Sequence, residues 1–181
     1  GKALPSSKYI YIMMNKPAGV LSSTQDRQHR TVIDILPDEL KVRGLFPVGR
    51  LDKDTTGLLI LTNDGDFAHS VISPRRHVKK RYLAQTEGTP TQQDALRFEE
   101  GLTLADGTRC MPSKLEVIGE NLCIVTVEEG KYHQVKRMLA ACGTPVKSLH
   151  RISIGGLELG NCLAESAYRV LTEEDLEQIF S

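Results

Sequence analysis

Apolar and polar positions change rhythm several times along the chain, and each change predicts an element. KYIYIMMN is apolar on both of its alternating faces and predicts a strand in a central position of a sheet. NKPAG breaks it, residues 31–40 predict a short helix interrupted by Pro37, and residues 45–48 a brief strand. LLILT is a second continuous apolar run of strand length. GDFAHSVIS predicts a helix stopped by Pro74, and HVKKRYLAQTEG a strand that starts charged and becomes apolar. A helix is expected from Thr89-Pro90-Thr91, with Pro90 accommodated in its first turn, to a stop at Gly101. ADGT between LTL and RCM reads as a hairpin turn, and residues 115–127 as two strands split at Gly119-Glu120-Asn121. In EEGKYHQVKRMLAACGTP, Val135, Met138 and Leu139 fall at helical spacing before a stop at Gly143 and Pro145. Strands follow at residues 146–154 and 168–171, with Gly155-Gly156 a turn, and Thr172 with Asp175 three residues on caps a last helix. Strands dominate, several joined by hairpins, with helices placed irregularly. That order predicts an α+β fold around a mixed, largely antiparallel sheet rather than a βαβ series.

Composition narrows the function classes. A length of 181 residues fits one domain, or one domain of two lobes sharing a sheet, with ample core. No apolar run approaches the roughly 20 residues that span a bilayer, so no membrane partner is expected. The chain starts at Gly1 with neither Met nor a charged-then-apolar leader, and residues 1–7 are expected to be a linker remnant. Cys110, Cys123, Cys142 and Cys162 form no Cys-x-x-Cys pair and the histidines are scattered, which argues against a zinc site, a metal cage or a disulfide framework. Reduced thiols and a cytoplasmic location are the expectation.

The formal net charge is zero, but the charges are unevenly placed. Arg75, Arg76, His77, Lys79, Lys80 and Arg81 crowd together. Lys131, His133, Lys136, Arg137, Lys147, His150 and Arg151 gather later. Two basic clusters in a neutral protein point to a local anionic ligand, since the local field steers a phosphate backbone and the total charge does not. Solvated lysines on an ordinary surface satisfy the same pattern.

The stretch VGRLDKDTTGLLILTNDG carries the candidate chemistry. LDKDT satisfies Asp-x-Asp-x-Thr, the arrangement of phosphatases of the haloacid dehalogenase type. Such a motif ends a buried strand, whereas here Gly49 and Arg50 interrupt the approach and the apolar strand follows the motif. A downstream acidic pair to hold Mg²⁺ is also missing.

GRLDKDTTGLLILTNDG, with NKPAG upstream and EGKYHQVKRM downstream, resembles the pseudouridine synthases. KKRYLA between these segments and LHRISIGGL after them extend the resemblance over residues 9–180. GKYHQVKRM is similar to the RsuA type acting on small-subunit ribosomal RNA, where large-subunit relatives tend to read GRNREVRR. The resemblance implies a pseudouridine synthase fold of two lobes sharing the mixed sheet, with residues 8–181 as the catalytic domain. It implies isomerisation of a uridine to pseudouridine in 16S ribosomal RNA, at the uridine-516 type site. The N1–C1′ bond breaks, the base turns, and C5 joins C1′, with no cofactor and no metal. The same chemistry on 23S RNA is the alternative, and a non-catalytic RNA-binding module the remoter one.

By the same resemblance Asp52 is the essential carboxylate, ionised at neutral pH, which attacks C1′ or removes the C2′ proton. Lys136 is the cation facing it, Leu139 the apolar residue beside the target base, and Tyr82 the ring that stacks on the uracil. Arg50 enters the gap left by the extruded nucleotide or holds phosphate, and Lys16 and Pro17 support the catalytic loop. Arg75, Arg76, Lys79, Lys80, Arg81, Arg137, Lys147 and Arg151 become candidate contacts to the RNA backbone. The expected partner is small-subunit RNA in a partly assembled ribosomal particle, bound by a monomer. Relatives of this type usually begin with an S4-type RNA-binding domain, for which the chain has no room before Tyr9.

Overall fold

The computed structural model describes residues 8–181, and the expected linker remnant lies outside the described residues. The two apolar runs without clean alternation are buried on both faces of the sheet. Strand β1 (Tyr11–Lys16) pairs antiparallel with β3 (Thr56–Thr62), which also receives the short β2 (Phe46–Pro47). Successive side chains of β3 feed different cores: Leu58 and Ile60 pack with Val71, Leu171 and Ile179, and Leu59 and Leu61 with Val20, Val32 and Leu36.

The other half of the sheet is built from β4 (Lys80–Thr86), β5 (Lys114–Gly119), β6 (Leu122–Val127) and β7 (Val146–Ile154). Its core joins Val125 and Leu149 to Phe98 of helix α3 (Gln92–Glu100) and to Val135, Met138 and Leu139 of helix α4 (Gln134–Ala141). The strand order is β5-β6-β4-β7-β3-β1-β9, with β9 (Tyr168–Val170) at the edge and β8 (Leu157–Glu158) paired to β7. The fold is α+β, with two lobes sharing a mixed sheet.

Among the named strands of the described residues, the pairing at the joint between the lobes is the parallel one. It consists of two residue pairs, Thr56 with His150 and Gly57 with Arg151. At Gly57, whose φ is +110°, a Cβ would sit inside van der Waals contact with the Arg151 carbonyl oxygen, so the strands meet there only without a side chain.

Several expected elements are shorter than their pattern. Of residues 31–40, only α1 (Asp38–Lys41) reaches into a helix. The segment before it is turned by local bonds: the Asp34 carboxylate accepts from the Thr31 N–H at 2.8 Å, a contact that competes with helix. Pro90 lies outside α3, which starts at Gln92 behind Thr91. That residue forms a capping box with Asp94. The 105–108 turn closes one isolated bridge, Thr103 to Arg109, rather than a full hairpin. Helices α2 (Gly65–Ile72) and α5 (Glu173–Ile179) pack in the lobe of β1 and β3, the latter capped by Thr172 and Asp175 as expected. Strand β1 lies one place in from the edge, covered by the three-residue β9, and not at the centre.

Candidate active site

The joint between the lobes opens into a cleft with two principal walls. The first is the 49–55 loop leading into β3. Lys16, at the end of β1 and without exposed surface, points beneath this loop. Its ammonium donates to the carbonyls of Pro17 (2.9 Å), Lys53 (3.0 Å) and Thr55 (2.8 Å). Burial lowers the pKa of Lys16 to about 8, while Asp54 and Asp52 pull it back upward. Ser22 Oγ donates to the Leu51 carbonyl at 2.9 Å and lies 3.1 Å from the Leu51 N–H, and the Thr55 N–H donates to the Asp52 carbonyl at 3.0 Å. Asp52 is thus carried on a backbone fixed before and after it.

The second wall runs from Glu129 into α4. Buried Glu129 accepts from the Met111 N–H at 2.6 Å, Gln134 Nε2 at 3.0 Å and Lys131 Nζ at 2.8 Å. Burial opposes its charge, yet the bonds from Lys131, Met111 and Gln134 hold its pKa below the usual carboxylate value. Gln134 also accepts from the Lys131 N–H, closing the turn that starts α4. His133, immediately before the helix, has φ +48°, a left-handed conformation that histidine tolerates better than most side chains.

The walls meet at Asp52. His133 Nε2 lies 3.1 Å from one carboxylate oxygen and Lys136 Nζ 3.0 Å from the other. These three side chains are about one-third exposed, so the contacts orient the carboxylate more than they stabilise the fold. Tyr82, from β4, forms another side of the cleft. Its hydroxyl accepts from Arg151 Nη1 at 3.3 Å, and Arg151 Nε donates to the Leu58 carbonyl at 2.8 Å. An inner cavity of about 70 Å³ is lined by Asp52, Tyr82, Thr55, Val127, Val135 and Leu149. It opens beside Arg50, Lys53, Asp54 and Tyr132 into a mouth of about 560 Å³. A carboxylate held in place on both oxygens can act as nucleophile or base on a ligand whose flat, uncharged ring rests against the aromatic side chain and aliphatic walls. Among the described residues no cluster of three His, Cys, Asp or Glu side chains is placed to hold a metal ion.

Asp52, Arg50, Tyr82 and Lys136 are therefore brought to one cavity. Arg50 is exposed at its rim and makes no ion pair among the described residues. Leu139 is displaced from its expected position: it is fully buried in the lobe core, and Leu51, Val127, Val135 and Leu149 supply the apolar lining. Lys80 and Arg151 must likewise be taken off the RNA-facing surface. Alternation along β7 turns Leu149, Arg151 and Ser153 inward, leaving Arg151 4% exposed. Lys80 is 8% exposed and donates to the Val71 carbonyl; burial, then repulsion from Arg151, lowers its pKa to about 8.

The remaining basic candidates are dispersed. Arg76, Lys79 and Arg81 border a separate cavity near Phe180, against whose ring the Arg76 guanidinium lies at 4.6 Å, with Arg75 exposed nearby in sequence. Arg137 pairs with Asp106 at 2.5 Å. Lys147 borders a shallow depression with Glu120. Asp54 reaches the mouth and not the inner cavity.

Sequence reasoning counted His133 only within a basic cluster and passed over Thr55 and Glu129. The available signal for His133 was its place beside Lys136 in the basic segment GKYHQVKRM. Thr55 lines the inner cavity with a buried hydroxyl that has no hydrogen-bond partner.

Comparison with known proteins places this geometry among relatives. The sequence model of the family described as RNA pseudouridylate synthase matches residues 10–141. The chain is 44% identical over 181 aligned positions to an uncharacterized RNA pseudouridine synthase of Bacillus subtilis, covering 97% of this chain and 75% of that one. It is 45% identical over 172 positions to ribosomal small subunit pseudouridine synthase A of Escherichia coli, covering 93% and 73% respectively. A crystal structure of a pseudouridylate synthase superposes with a TM-score of 0.88 at 38% identity, over 94% of this chain and 74% of that one. An archaeal box H/ACA sRNP Nop10–Cbf5 complex shares the fold at a TM-score of 0.60 and 19% identity, over 91% of this chain and 53% of the matched one.

Proposed function

The chain belongs to the RNA pseudouridylate synthase family, and from that premise we propose that it converts one uridine of 16S ribosomal RNA to pseudouridine, with Asp52 as the reacting carboxylate. The observation that carries the assignment to Asp52 is its placement at the inner cavity with Lys136 and His133 on its two oxygens and Tyr82 in the wall. The small-subunit target is supported by the similarity to the Escherichia coli small-subunit enzyme, and the site of uridine-516 type is part of the same proposal.

A uridine inside a helix cannot present C1′ to a carboxylate, so the nucleotide is extruded and its lost stacking is partly replaced by Tyr82. Lys136 and His133 orient Asp52 toward the sugar. Asp52 either attacks C1′, displacing N1, or takes the C2′ proton to give a glycal. In both routes uracil is freed as an anion, turns, and reattaches through C5, displacing the Asp52 carboxylate from C1′ in the first route and with Asp52 returning the proton to C2′ in the second. The C5 proton is then lost and N1 gains one, so product and substrate have the same atoms. Arg50 at the rim holds phosphate or fills the gap left by the extruded base. Residues 8–181 act as the catalytic domain, a monomer working in the cytoplasm on a partly assembled small subunit. Of the backbone candidates, Arg75, Arg76, Lys79, Arg81, Arg137 and Lys147 keep that role.

Tritium release from 5-tritiated uridine in small-subunit RNA, naked and in assembling particles, tests the reading in the presence of EDTA. Release by the native protein and none by Asp52→Ala is expected. Release from large-subunit RNA alone overturns the target, and undiminished release by the variant overturns the role of Asp52.

A further inference from the structure

Tyr132 is the most exposed aromatic ring among the described residues, at 76% of its surface, and it stands at the mouth of the Asp52 cleft. It is not a ring on a slack tether. Its backbone carbonyl accepts from Arg137 Nη1 at 3.2 Å, and the preceding N–H, of Lys131, is held by Gln134. One face lies on the His133 imidazole, with ring centres 3.9 Å apart and planes 15° from parallel. His133 in turn touches Asp52. The exposure of Tyr132 leaves the opposite face available, so an open ring, an imidazole and the reacting carboxylate follow one another into the cleft.

Beside the cavity of about 70 Å³, the mouth of about 560 Å³ offers room for nucleotides flanking the target base. Arg50 and Lys53 border that mouth, cations suited to phosphates on either side of a base. Extruding a nucleotide also leaves its neighbours without a stacking partner, and every base has a π-face that an exposed aromatic ring can cover.

We propose that Tyr132 is a stacking platform for an unpaired base adjacent to the extruded uridine, and that its contact with His133 couples capture of that base to the geometry at Asp52. This rests on the assignment of the cleft to uridine isomerisation. The ligand is a single-stranded segment of the substrate RNA, recognised by stacking with little sequence preference.

The test is a cycle between protein and RNA. RNAs carrying an abasic site at the nucleotide before or after the modified uridine are compared with intact RNA, using the native protein, Tyr132→Ala and Tyr132→Phe. Tritium release gives kcat and KM, fluorescence anisotropy gives affinity, and circular dichroism melting checks the fold. Tyr132→Ala is expected to raise KM roughly tenfold, the scale of one lost base stack, and Tyr132→Phe to restore it. One of the two abasic RNAs should cost the native protein a similar factor and cost Tyr132→Ala nothing more. An unchanged KM in Tyr132→Ala, or losses that multiply, overturns the proposal. If the native protein releases no tritium, the isomerase assignment fails instead, and the same cycle in binding affinity still decides whether Tyr132 stacks on RNA.

Discussion

The two walls of the cleft are each fixed by one buried charge, and the charges are opposite. Beneath the Asp52 loop the Lys16 ammonium gathers the carbonyls of Pro17, Lys53 and Thr55. Beneath the start of α4 the Glu129 carboxylate gathers a backbone N–H, an amide and an ammonium from Met111, Gln134 and Lys131. A buried ion is costly unless its hydrogen bonds are met, and both sets lie within their own lobe. Each wall is therefore shaped separately; part-exposed His133 and Lys136 meet Asp52 across the cleft, while buried Arg151 holds the Leu58 carbonyl at the joint. Two sorts of substitution should follow: those that remove chemistry and leave the fold, and those that loosen one wall and leave the other.

The largest effect on activity should come from Asp52→Asn. Tritium release is expected to fall by about a thousandfold or more, the upper part of the range for loss of a proton-transferring group. The melting temperature should move by no more than about 4 °C, because part-exposed ion pairs contribute about 1 kcal/mol at most. A large melting shift would mean that the lobes depend on each other through this carboxylate, contrary to the separation of the walls.

Lys16→Met should come next. Loss of charge-assisted bonds to three carbonyls is expected to cost about 2–3 kcal/mol, and the freed loop to lower kcat by about a hundredfold through misplacement of Asp52. Hydrogen exchange should rise at residues 51–55 and stay unchanged at 129–134. With a folded pKa of about 8 against about 10.4 unfolded, the native chain gains stability as pH rises between those values, because the unfolded chain then holds the extra proton. The variant should keep only a smaller rise in urea titrations, the share of Lys80, whose pKa is lowered in the same way.

Glu129→Gln is the mirror experiment. It keeps the shape of the side chain but leaves the Lys131 ammonium without its anion, at an expected cost of about 1–2 kcal/mol and about a tenfold loss of activity. Exchange should now rise at 129–134 and not at 51–55. Exchange that spreads into both walls in either variant would break the comparison.

The smallest effect should be that of Asp175→Asn, which touches neither wall. Hydrogen bonding from Arg169 lowers the pKa of Asp175 to about 2, and the residue completes the cap of α5. Its stabilisation is present above the unfolded value of about 3.9 and is lost as pH falls through about 2. The variant should be less stable by about 1 kcal/mol at neutral pH, approach the native protein as pH falls below the folded pKa of about 2, and be unchanged in kcat.

Much of this was legible because it is local. The period of two, the apolar runs and the turn residues are written in consecutive positions, so most strands, and the loop before LLILT, could be placed from the chain alone. What failed depended on partners distant in sequence. A run of cations around Lys80 or Arg151 reads as surface until the sheet decides which face of β4 and β7 is inside. Leu139 and Leu149 are equally apolar, and only the angle between α4 and β7 decides which one meets the cavity. The His133 contact with Asp52 depends on a left-handed backbone that spacing does not encode. At residues 31–40 a helical pattern lost to the local bond between Asp34 and Thr31.

Gly57 has a consequence for any map of mutational tolerance across this protein. It contributes no atom to the inner cavity, but any side chain at that position would be driven into the backbone of Arg151 and part the parallel joint. In a saturation library scored by growth or activity, position 57 should therefore be nearly as depleted as position 52, and the two depletions would look alike. Scoring the same library for abundance separates them. Variants at 52 persist as folded, inactive protein, whereas variants at 57 are lost from the soluble pool. Intolerance at a residue beside an active site thus marks either a reagent or a seam.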